Sequence, residues 1–430
     1  MKEMPPVIAT VGGRGTRLFP LTLHQPKPLV EMCNKSILAI LFEGLANQGC
    51  REFYIASKGD VNTTRLKEYF KEGKGFSGRL GLDEEVEFRY QPRYDDQGSG
   101  DAIRFCMEYF NIDEDVLVVS GDNVVDIEIR EMLEFHKKKN ALLTIGLKIL
   151  EPQESISQFG VAEITDDNRI IRFVEKPKKG KEPSRLVNTA IYLFSPEIKD
   201  VFDEMGDRVR DVGKDVIPYL TDKGYPIYGF PFHGYWADVG TPGRYLQTSF
   251  DVLQKKLGHI KLINECEICG INRWVLSSTE ERNKSKLLRG SINLGEYTLI
   301  GRDCEIGENV WIENSSIGDN CIIEDNVTIK NSVVMDFVNI GKHSTLNKCV
   351  VGRYTDIGAG SLLDSDFPLE FYGKDIDKTV VIGENVEIYE NSVIGPGKRV
   401  APLKETHEIL KTGKYIELGM DEKNLYFMEA

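Results

Sequence analysis

Short apolar runs alternate with helically spaced apolar positions over roughly the first 250 residues. The runs have the length of β-strands; they are Val7–Val11, Glu52–Ala56, Val86–Tyr90, Val116–Ser120 and Ala141–Leu147. Between them, apolar side chains recur at intervals of three and four, as on one face of a helix; they are Ile37, Ile40, Leu41 and Leu45, then Ala102, Phe105, Cys106 and Tyr109, then Ile129, Met132, Leu133 and His136. This alternation predicts an α/β fold with a mostly parallel sheet and ligands at the carboxyl ends of its strands.

A different pattern begins near residue 290. Aliphatic residues recur every six positions, with one step of five in every three, so that three columns repeat every 17 residues. The twelve positions are Ile300, Ile306, Ile312, Ile317, Ile323, Ile329, Val334, Ile340, Leu346, Val351, Ile357 and Leu363. Aliphatic side chains stacked inside a triangular coil, with glycine at tight corners, account for this pattern. It predicts a parallel β-helix of hexapeptide repeats.

These two patterns suggest where the domains begin and end. We predict an α/β domain over 1–250, a connecting segment over 251–289, a β-helix over 290–402 and a C-terminal helix or tail over 403–430. Residues 364–381 break the repeat and are interpreted as a loop, because Ile382, Ile388, Ile394 and Val400 resume it. Leu403–Lys411 is interpreted as a helix that caps the last coil.

Composition narrows the classes of function. The 430 residues are 28% charged and 41% hydrophobic, as in a folded protein, and no apolar stretch is long enough to cross a bilayer. No secretory signal is recognisable at the start, so we expect a cytoplasmic location. The net charge of −14 argues against nucleic-acid or membrane binding. The eight scattered cysteines predict reduced thiols, and Cys266 and Cys269 are interpreted as two of them because no fourth zinc ligand is evident near His259.

Candidate phosphate-binding residues follow the first predicted strand. A glycine-rich turn lets backbone N–H groups approach phosphate oxygens, and arginines there add positive charge; the turn is Gly12, Gly13, Arg14, Gly15, Thr16 and Arg17. It has neither the P-loop spacing nor the dinucleotide-binding spacing, and a tight turn with solvated arginines is the alternative. Lys27 lies between two prolines, which suits a fixed cation facing a phosphate.

Two aspartates are candidate metal ligands. Asp122 follows the predicted strand Val116–Ser120, and Asp238 lies among glycines and aromatic residues. Two carboxylates together with phosphate oxygens would complete an ordinary Mg²⁺ shell. For Asp122, the cap of a following helix is the alternative interpretation.

Together these motifs resemble the sugar-1-phosphate nucleotidyltransferases, also called nucleotide-sugar pyrophosphorylases. The matching segments are Gly12–Arg17 with Pro26–Pro28, Gln91 with Gly98–Ala102, Gly121-Asp122, Phe159–Val161, Val174–Pro177, Val187–Tyr192 and Asp238. The resemblance covers essentially the whole chain and implies a Rossmann-like catalytic domain followed by a left-handed β-helix. It implies transfer of a nucleotidyl group from an NTP to a sugar 1-phosphate, with glucose 1-phosphate or mannose 1-phosphate as the expected substrate and Mg²⁺ as the cofactor.

The resemblance also implies a role for each matching residue. Arg17, Lys27 and Lys176 would be catalytic cations, and Asp122 and Asp238 would hold Mg²⁺. The nucleotide would be bound by Gly12, Gly13, Arg14, Gly15, Thr16, Gln91, Gly98 and Ser99. The sugar phosphate would be bound by Gly160, Glu175 and Asn188 beside Lys176. These cations would make the site locally positive within an acidic protein.

Several questions stay open at the level of sequence. Asp211–Pro218 resembles the adenylyltransferases, whereas Pro26–Leu29 resembles the thymidylyl-, uridylyl- and guanylyltransferases, so the base is not decided. Ser99 and Phe159 depart from the family's usual residues at their positions. A non-catalytic regulatory subunit of the same fold is one alternative. A bifunctional enzyme with acetyltransferase activity in the β-helix is another, although His343 is interpreted as a surface residue. The stacked coils predict a homo-oligomer.

Overall fold

The computed structural model describes residues 4–13, 15–82, 84–92, 95–152, 154–262, 266, 268–368, 377–403 and 415–429. The chain divides into two compact units. The first comprises Met1–Gly13 and Leu38–Asp238, and the second comprises Arg14–Ile37 and Val239–Ala430. This division differs from the predicted boundaries because the short segment Arg14–Ile37, which carries most of the arginine-rich turn and Lys27, groups with the C-terminal half.

The first unit is built on a nine-stranded sheet. Val7–Val11 lies parallel to Val116–Ser120 on one side and to Glu52–Ser57 on the other, and Glu87–Tyr90 continues this parallel part. Leu186–Phe194 pairs antiparallel with Val116–Ser120. The remaining strands of the sheet are Leu143–Ile149, Gly160–Ile164, Ile170–Glu175 and Ile227–Pro231. The predicted α/β sheet is thus confirmed, with Thr10 and Ser120 at the carboxyl ends of adjacent strands.

Helices flank this sheet where the apolar spacing predicts them. The α-helices are Ile37–Asn47, Asp60–Phe70, Lys74–Leu80, Ser99–Tyr109, Ile129–Lys139, Ile198–Met205 and Ile217–Lys223, with a 3₁₀ turn at Gly206–Arg208 and a π-helical turn at Val212–Val216. Ile103, Cys106 and Met107 of one helix pack into the same apolar core as Val116 and Val118 of a central strand. The apolar face of the helix therefore packs on one face of the sheet, as expected from alternating strand and helix patterns in the sequence.

The second unit contains the predicted β-helix. Its first sheet runs through Arg273–Val275, Thr298–Ile300, Ser316–Ile317, Val333–Val334, Cys349–Val351, Val380–Ile382 and Arg399–Pro402. Its second runs through Ile292–Leu294, Val310–Glu313, Thr328–Lys330, Thr345–Asn347, Leu362–Asp364 and Val393–Ile394, and its third through Glu305–Ile306, Ile322–Ile323, Asn339–Ile340, Asp356–Ile357 and Glu387–Ile388. All twelve predicted aliphatic positions are buried. The strand Arg273–Val275 places the beginning of the β-helix inside the predicted connecting segment.

The remaining elements of the second unit lie outside the coils of the β-helix. They are the 3₁₀ turns Thr16–Leu18 and Lys27–Leu29, the strands Glu31–Met32 and Lys35–Ser36, and the helices Pro242–Leu253 and Ser277–Leu288. The strands Tyr415–Met420 and Asn424–Glu429 form an antiparallel hairpin on Arg399–Pro402. This hairpin corrects the predicted helix or tail over 403–430, because Leu425 and Phe427 alternate inward as in a strand. Residues 404–414, where the capping helix is predicted, and 369–376 of the predicted loop lie outside the described residues.

The glycines of the repeat have a different role from the one predicted. The described corner residues with positive φ include Asn309, Asn314 and Asn326, whereas Gly318 and Gly341 lie outside this region. A Cβ on Gly318 would lie 2.5 Å from Asp336 N, and one on Gly341 would lie 2.6 Å from Ala359 N. These glycines are therefore required by the close approach of the next coil.

The CxxC pair also differs from the prediction. Cys266 and Cys269 are joined by a disulfide, with their Cα atoms 5.2 Å apart. The physical reason is a tight turn, in which the N–H groups of Cys269 and Gly270 both bond to the carbonyl of Cys266. The six other cysteines are free and buried.

We expect Leu346→Ala to lower the free energy of unfolding of the β-helix by about 3 kcal/mol, because it removes a completely buried side chain between coils that relax little. Urea or thermal unfolding followed by circular dichroism measures this loss. The matched control is Lys342→Ala, an exposed position on the preceding turn, which should be nearly neutral. Equal stability of both variants would contradict an aliphatic core at this position.

Candidate active site

The two predicted metal ligands lie in neighbouring backbone segments of the first unit. Strand Trp236–Asp238 pairs antiparallel with Asn123–Val125, and Asp238 is opposite Asn123, the residue after Asp122. Both aspartates are half-buried, and Ser120 Oγ donates to Asp122 Oδ1 over 2.6 Å. Carboxylate oxygens in this arrangement are the donors that Mg²⁺ prefers. Among the described residues, no group of three or more His, Cys, Asp or Glu side chains could hold a metal ion.

Gly12 and Gly13 present an open backbone after strand Val7–Val11. Both are exposed, and a Cβ built on either would meet no heavy atom of the described residues within 4 Å. Packing within the described protein therefore does not require glycine here. A ligand that approaches the backbone closely would require it, as phosphate does in glycine-rich turns. Arg14, the next residue of the predicted turn, lies outside the described residues.

The residues predicted to recognise the base make contacts within the protein. Gln91 is completely buried, and its amide donates to Asp96 Oδ2 over 3.3 Å. Gly98 has φ +146°, and a Cβ there would lie 2.6 Å from the carbonyl oxygen of Arg210. Ser99 Oγ accepts a hydrogen bond from Val212 N–H over 3.1 Å. A role of Gln91, Gly98 and Ser99 in nucleotide binding stays a prediction, and Gln91 would have to leave its internal partner to read a base.

The predicted sugar residues converge around the carboxylate of Glu175. Gly160 is opposite Glu175 in the antiparallel pair of strands, and a Cβ on Gly160 would lie 2.7 Å from Glu175 Oε2. A Cβ on Gly213 would lie 2.8 Å from the same oxygen. Burial raises the pKa of Glu175, while the positive charges of Lys176 and Lys214 lower it. Two glycines thus leave space for a carboxylate that can accept hydrogen bonds from ligand hydroxyls.

Backbone conformation is unusual at Lys176 and at Ala190, two residues after Asn188. Lys176 has φ +48°, a region that costs energy for a residue with a Cβ, and its N–H is bonded to the Phe159 carbonyl. Its ammonium lies 3.9 Å from Glu175 Oε1 and the side chain is 58% exposed. Asn188 Oδ1 accepts from the N–H of Ala190, which has φ +58°. This backbone directs Lys176 outward beside Glu175, where a phosphate can reach it.

Three residues near Glu175 were not assigned by the sequence motifs. Lys214 and Asp211 both act electrostatically on Glu175. The Tyr192 hydroxyl accepts a hydrogen bond from Asn188 Nδ2 over 2.8 Å, and burial raises the pKa of this tyrosine. The signal in the sequence is the Gly-Lys-Asp run inside Asp211–Pro218, which folds into the π-helical turn Val212–Val216. Such turns are frequent at functional sites.

The other predicted cations lie in the second unit. Gly15 has φ +61°, and a Cβ there would lie 3.0 Å from Lys27 Cβ, so the turn and the proline-flanked lysine are adjacent. Thr16 and Arg17 begin a 3₁₀ turn, and Lys27 is only 5% exposed. The Arg17 guanidinium lies over Gly240, where a Cβ would be 2.8 Å from Nη2. Arg17 and Lys27 thus belong to one segment of the second unit, Arg14–Ile37.

Comparison with known proteins agrees with this arrangement. The family model described as nucleotidyl transferase matches residues 7–255, more than half of the chain. The chain belongs to the nucleotidyl transferase family. A second model, described as the LbH domain of EIF2B subunit epsilon, matches residues 281–372 and so overlaps the β-helix. The resemblance stated from the motifs is thereby confirmed.

Several curated relatives are sugar-1-phosphate nucleotidyltransferases by name. A UTP–glucose-1-phosphate uridylyltransferase of Synechocystis sp. is 29% identical over 58% of this chain and 64% of the relative, which is less than two thirds of its length. A glucose-1-phosphate adenylyltransferase of Desulfitobacterium hafniense is 30% identical over 71% of this chain and 78% of the relative. A putative mannose-1-phosphate guanyltransferase of Sulfolobus acidocaldarius is 29% identical over 59% of this chain and 64% of the relative.

None of the described helices combines the length and the apolarity that crossing a membrane would demand.

Proposed function

We propose that this nucleotidyl transferase family member transfers a nucleotidyl group from an NTP to a sugar 1-phosphate and releases pyrophosphate. The observation that carries the proposal is the pairing of Asp238 with Asn123, the residue after Asp122, because it brings the backbone of both aspartates together just beyond the carboxyl end of a central strand. The names of the relatives support the same reaction, since they include uridylyl-, adenylyl- and guanylyltransferases of sugar phosphates.

The reaction needs positioning and charge neutralisation more than covalent chemistry. A phosphate oxygen of the sugar 1-phosphate attacks the α-phosphorus of the NTP, and the bond from that phosphorus to the oxygen of the β-phosphate breaks. Lys176 would bind the attacking phosphate, while Arg17 would bind the β- and γ-phosphates that leave. Lys27 would oppose the charge that develops at the α-phosphate. Mg²⁺, held by Asp122 and Asp238, would add positive charge at these phosphates.

The sugar would be read by the cluster around Glu175. Its carboxylate would accept hydrogen bonds from sugar hydroxyls, and Asn188 and the Gly160 backbone would add further contacts. Glucose 1-phosphate and mannose 1-phosphate are the proposed substrates, which the names of the relatives support. UTP, ATP and GTP are the candidate nucleotide donors named by the relatives, and dTTP is added from the motif Pro26–Leu29.

The proposal extends to the working form of the protein. We propose Mg²⁺ as the metal, a homo-oligomer formed through the β-helix, and a cytoplasmic location with no nucleic-acid partner. The exposed position of His343 gives no support to a general base between coils, so acetyl transfer is not proposed. The regulatory-subunit alternative differs in one measurable property, which is turnover.

Pyrophosphate release in the presence of Mg²⁺ tests the function directly. The assay combines UTP, dTTP, GTP, ATP and CTP with the 1-phosphates of glucose, mannose, galactose and N-acetylglucosamine. We expect one preferred pair and dependence on both substrates, because the attacking and leaving groups come from different molecules. Reactions without sugar phosphate control for plain NTP hydrolysis. Folded protein that binds nucleotide but turns over no pair would contradict the proposal and favour a regulatory or sensing subunit.

A further inference from the structure

The β-helix holds the segment that carries Arg17 and Lys27. At the N-terminal coils, Asn34 Nδ2 donates to the Ile317 carbonyl over 2.8 Å, and Ser316 Oγ donates to Asn34 Oδ1 over 3.2 Å. Both partners belong to one strand of the first β-helix sheet. The amide of Asn34 is thus bonded on both sides by a single coil, which fixes one end of the segment.

Further along the same sheet, an ion pair attaches the middle of the segment. Arg353 donates to both carboxylate oxygens of Glu31, with Nε 3.3 Å from Oε2. Burial raises the pKa of Glu31, and Arg353 lowers it. Arg353 Nε also lies 3.9 Å from Asp336 Oδ2 on the preceding coil. A partly buried bidentate pair of this kind fixes geometry more firmly than an exposed one.

The closest attachment is at the arginine-rich turn itself. Arg399, in the last strand of the first β-helix sheet, is 2% exposed. Its Nη1 donates to the carbonyl oxygens of Arg17 and of Phe19, each over 2.8 Å. These two carbonyls flank the end of the 3₁₀ turn Thr16–Leu18. One buried cation therefore sets the direction of the backbone from which the Arg17 side chain departs.

Apolar packing supports the same attachment. Phe19 and Leu23 of the segment pack against Ala401, Leu425 and Phe427 of the last coil and the hairpin. This contact excludes water from one side of the turn, and a hydrogen bond to a carbonyl is worth more where water does not compete. The turn is thus held by both polar and apolar contacts from the end of the β-helix.

We propose that Arg399 is a positioning residue for nucleotide binding, through which the β-helix fixes the phosphate-binding side chain of Arg17. The proposal rests on the proposed function, because it takes Arg17 as the cation for the β- and γ-phosphates. A cation held in place before the nucleotide arrives costs less ordering on binding. The β-helix then has a task in the reaction beyond any part in assembly.

Arg399→Met tests this proposal, because the KM for the NTP and the KM for the sugar phosphate should respond differently. We expect the KM for the preferred NTP to rise about tenfold, as the loss of charge-assisted hydrogen bonds to the turn would give. The KM for the sugar phosphate should stay within about twofold, because its proposed ligands lie in the other unit. Arg399→Lys keeps a cation that can reach one carbonyl, so the NTP KM should recover in part.

The matched control is Arg273→Met. Arg273 also donates to two carbonyls of the β-helix, those of Leu294 and Ile271, without a described bond to Arg14–Ile37. General damage to the β-helix would lower the active fraction in both variants and leave the NTP KM unchanged. An unchanged NTP KM in Arg399→Met, or an equal rise in Arg273→Met, would overturn the proposal.

The same variants also test the proposal if Arg399→Met does not fold or if the wild type shows no turnover. Should Arg399→Met not fold, Arg399→Lys carries the comparison, and an NTP KM equal to that of the wild type would overturn the proposal. Should the wild type turn over no substrate pair, the proposed function fails on its own. Titration of the Mg²⁺ complexes of UTP, GTP and ATP then replaces KM, with weaker binding by Arg399→Met than by Arg273→Met as the supporting result and equal binding as the opposing one.

Discussion

Asp122→Asn is expected to lower kcat for pyrophosphate release by about a thousandfold or more, because an amide holds a divalent cation far more weakly than a carboxylate. The substitution keeps the shape of the side chain, and Ser120 Oγ still finds an oxygen acceptor at this position. The fold should therefore persist. Steady-state kinetics over a range of Mg²⁺ concentrations measures the effect, and raised Mg²⁺ should restore part of the rate.

Asp238→Asn should act in the same direction, since Asp238 is paired with Asn123, the residue that follows Asp122. Asp166→Asn is the matched control: it changes an exposed aspartate on a turn of the same unit and should leave kcat unchanged. Turnover by Asp122→Asn within about tenfold of the wild type would remove Asp122 from the proposed metal site.

Local patterns predict much of this fold because the spacing of apolar residues shows which side chains of each helix or strand are buried. Val7–Val11 and Val116–Ser120 are strands with the predicted bounds. The β-helix can be predicted from the sequence for the same reason, since every coil must bury its aliphatic side chains against the neighbouring coils. The position of Asp122 also follows from the sequence, because it comes directly after a central strand and ligands bind at the carboxyl ends of such strands.

Other features depend on contacts that no local pattern contains. Arg399 bonds to the backbone of Arg17, 382 positions earlier, and nothing in the residues around either one indicates the other. The grouping of Arg14–Ile37 with the β-helix follows from such bonds. Gln91 was assigned from a motif, but its burial depends on Asp96 and on Cys106 of the next helix. Motifs thus identify chemistry, while long-range packing decides which groups face a ligand.

The C-terminal hairpin is an intermediate case. Leu425 and Phe427 are buried while Tyr426 and Met428 are partly exposed, and the sequence shows only the short apolar run Leu425–Met428, which is consistent with a strand. The sequence does not show that the last coil ends in strand Arg399–Pro402. Without the hairpin, the outer edge of this strand would have unpaired backbone groups. The hairpin pairs with this strand, and its Leu425 and Phe427 also cover the turn that carries Phe19.

Lys176→Met is expected to raise the KM for the sugar 1-phosphate about a hundredfold, because a charge-assisted contact to phosphate is lost at a water-accessible site. The NTP KM should change far less. The 58% exposure of the side chain makes a loss of stability small, so the effect would report binding. Lys179→Met, an exposed lysine on the following turn, is the matched control and should leave both constants unchanged.

The same variant should also move the pH profile in a defined direction. Lys176 lowers the pKa of Glu175, which burial already raises. Without the lysine, Glu175 takes up its proton at a higher pH, so the acidic limb of kcat/KM for the sugar phosphate should shift upward. Damage that merely reduced the amount of folded protein would lower the profile without moving it. An unshifted limb together with an unchanged sugar-phosphate KM would separate Lys176 and Glu175 from sugar binding and leave the strained backbone at Lys176 without a functional reason.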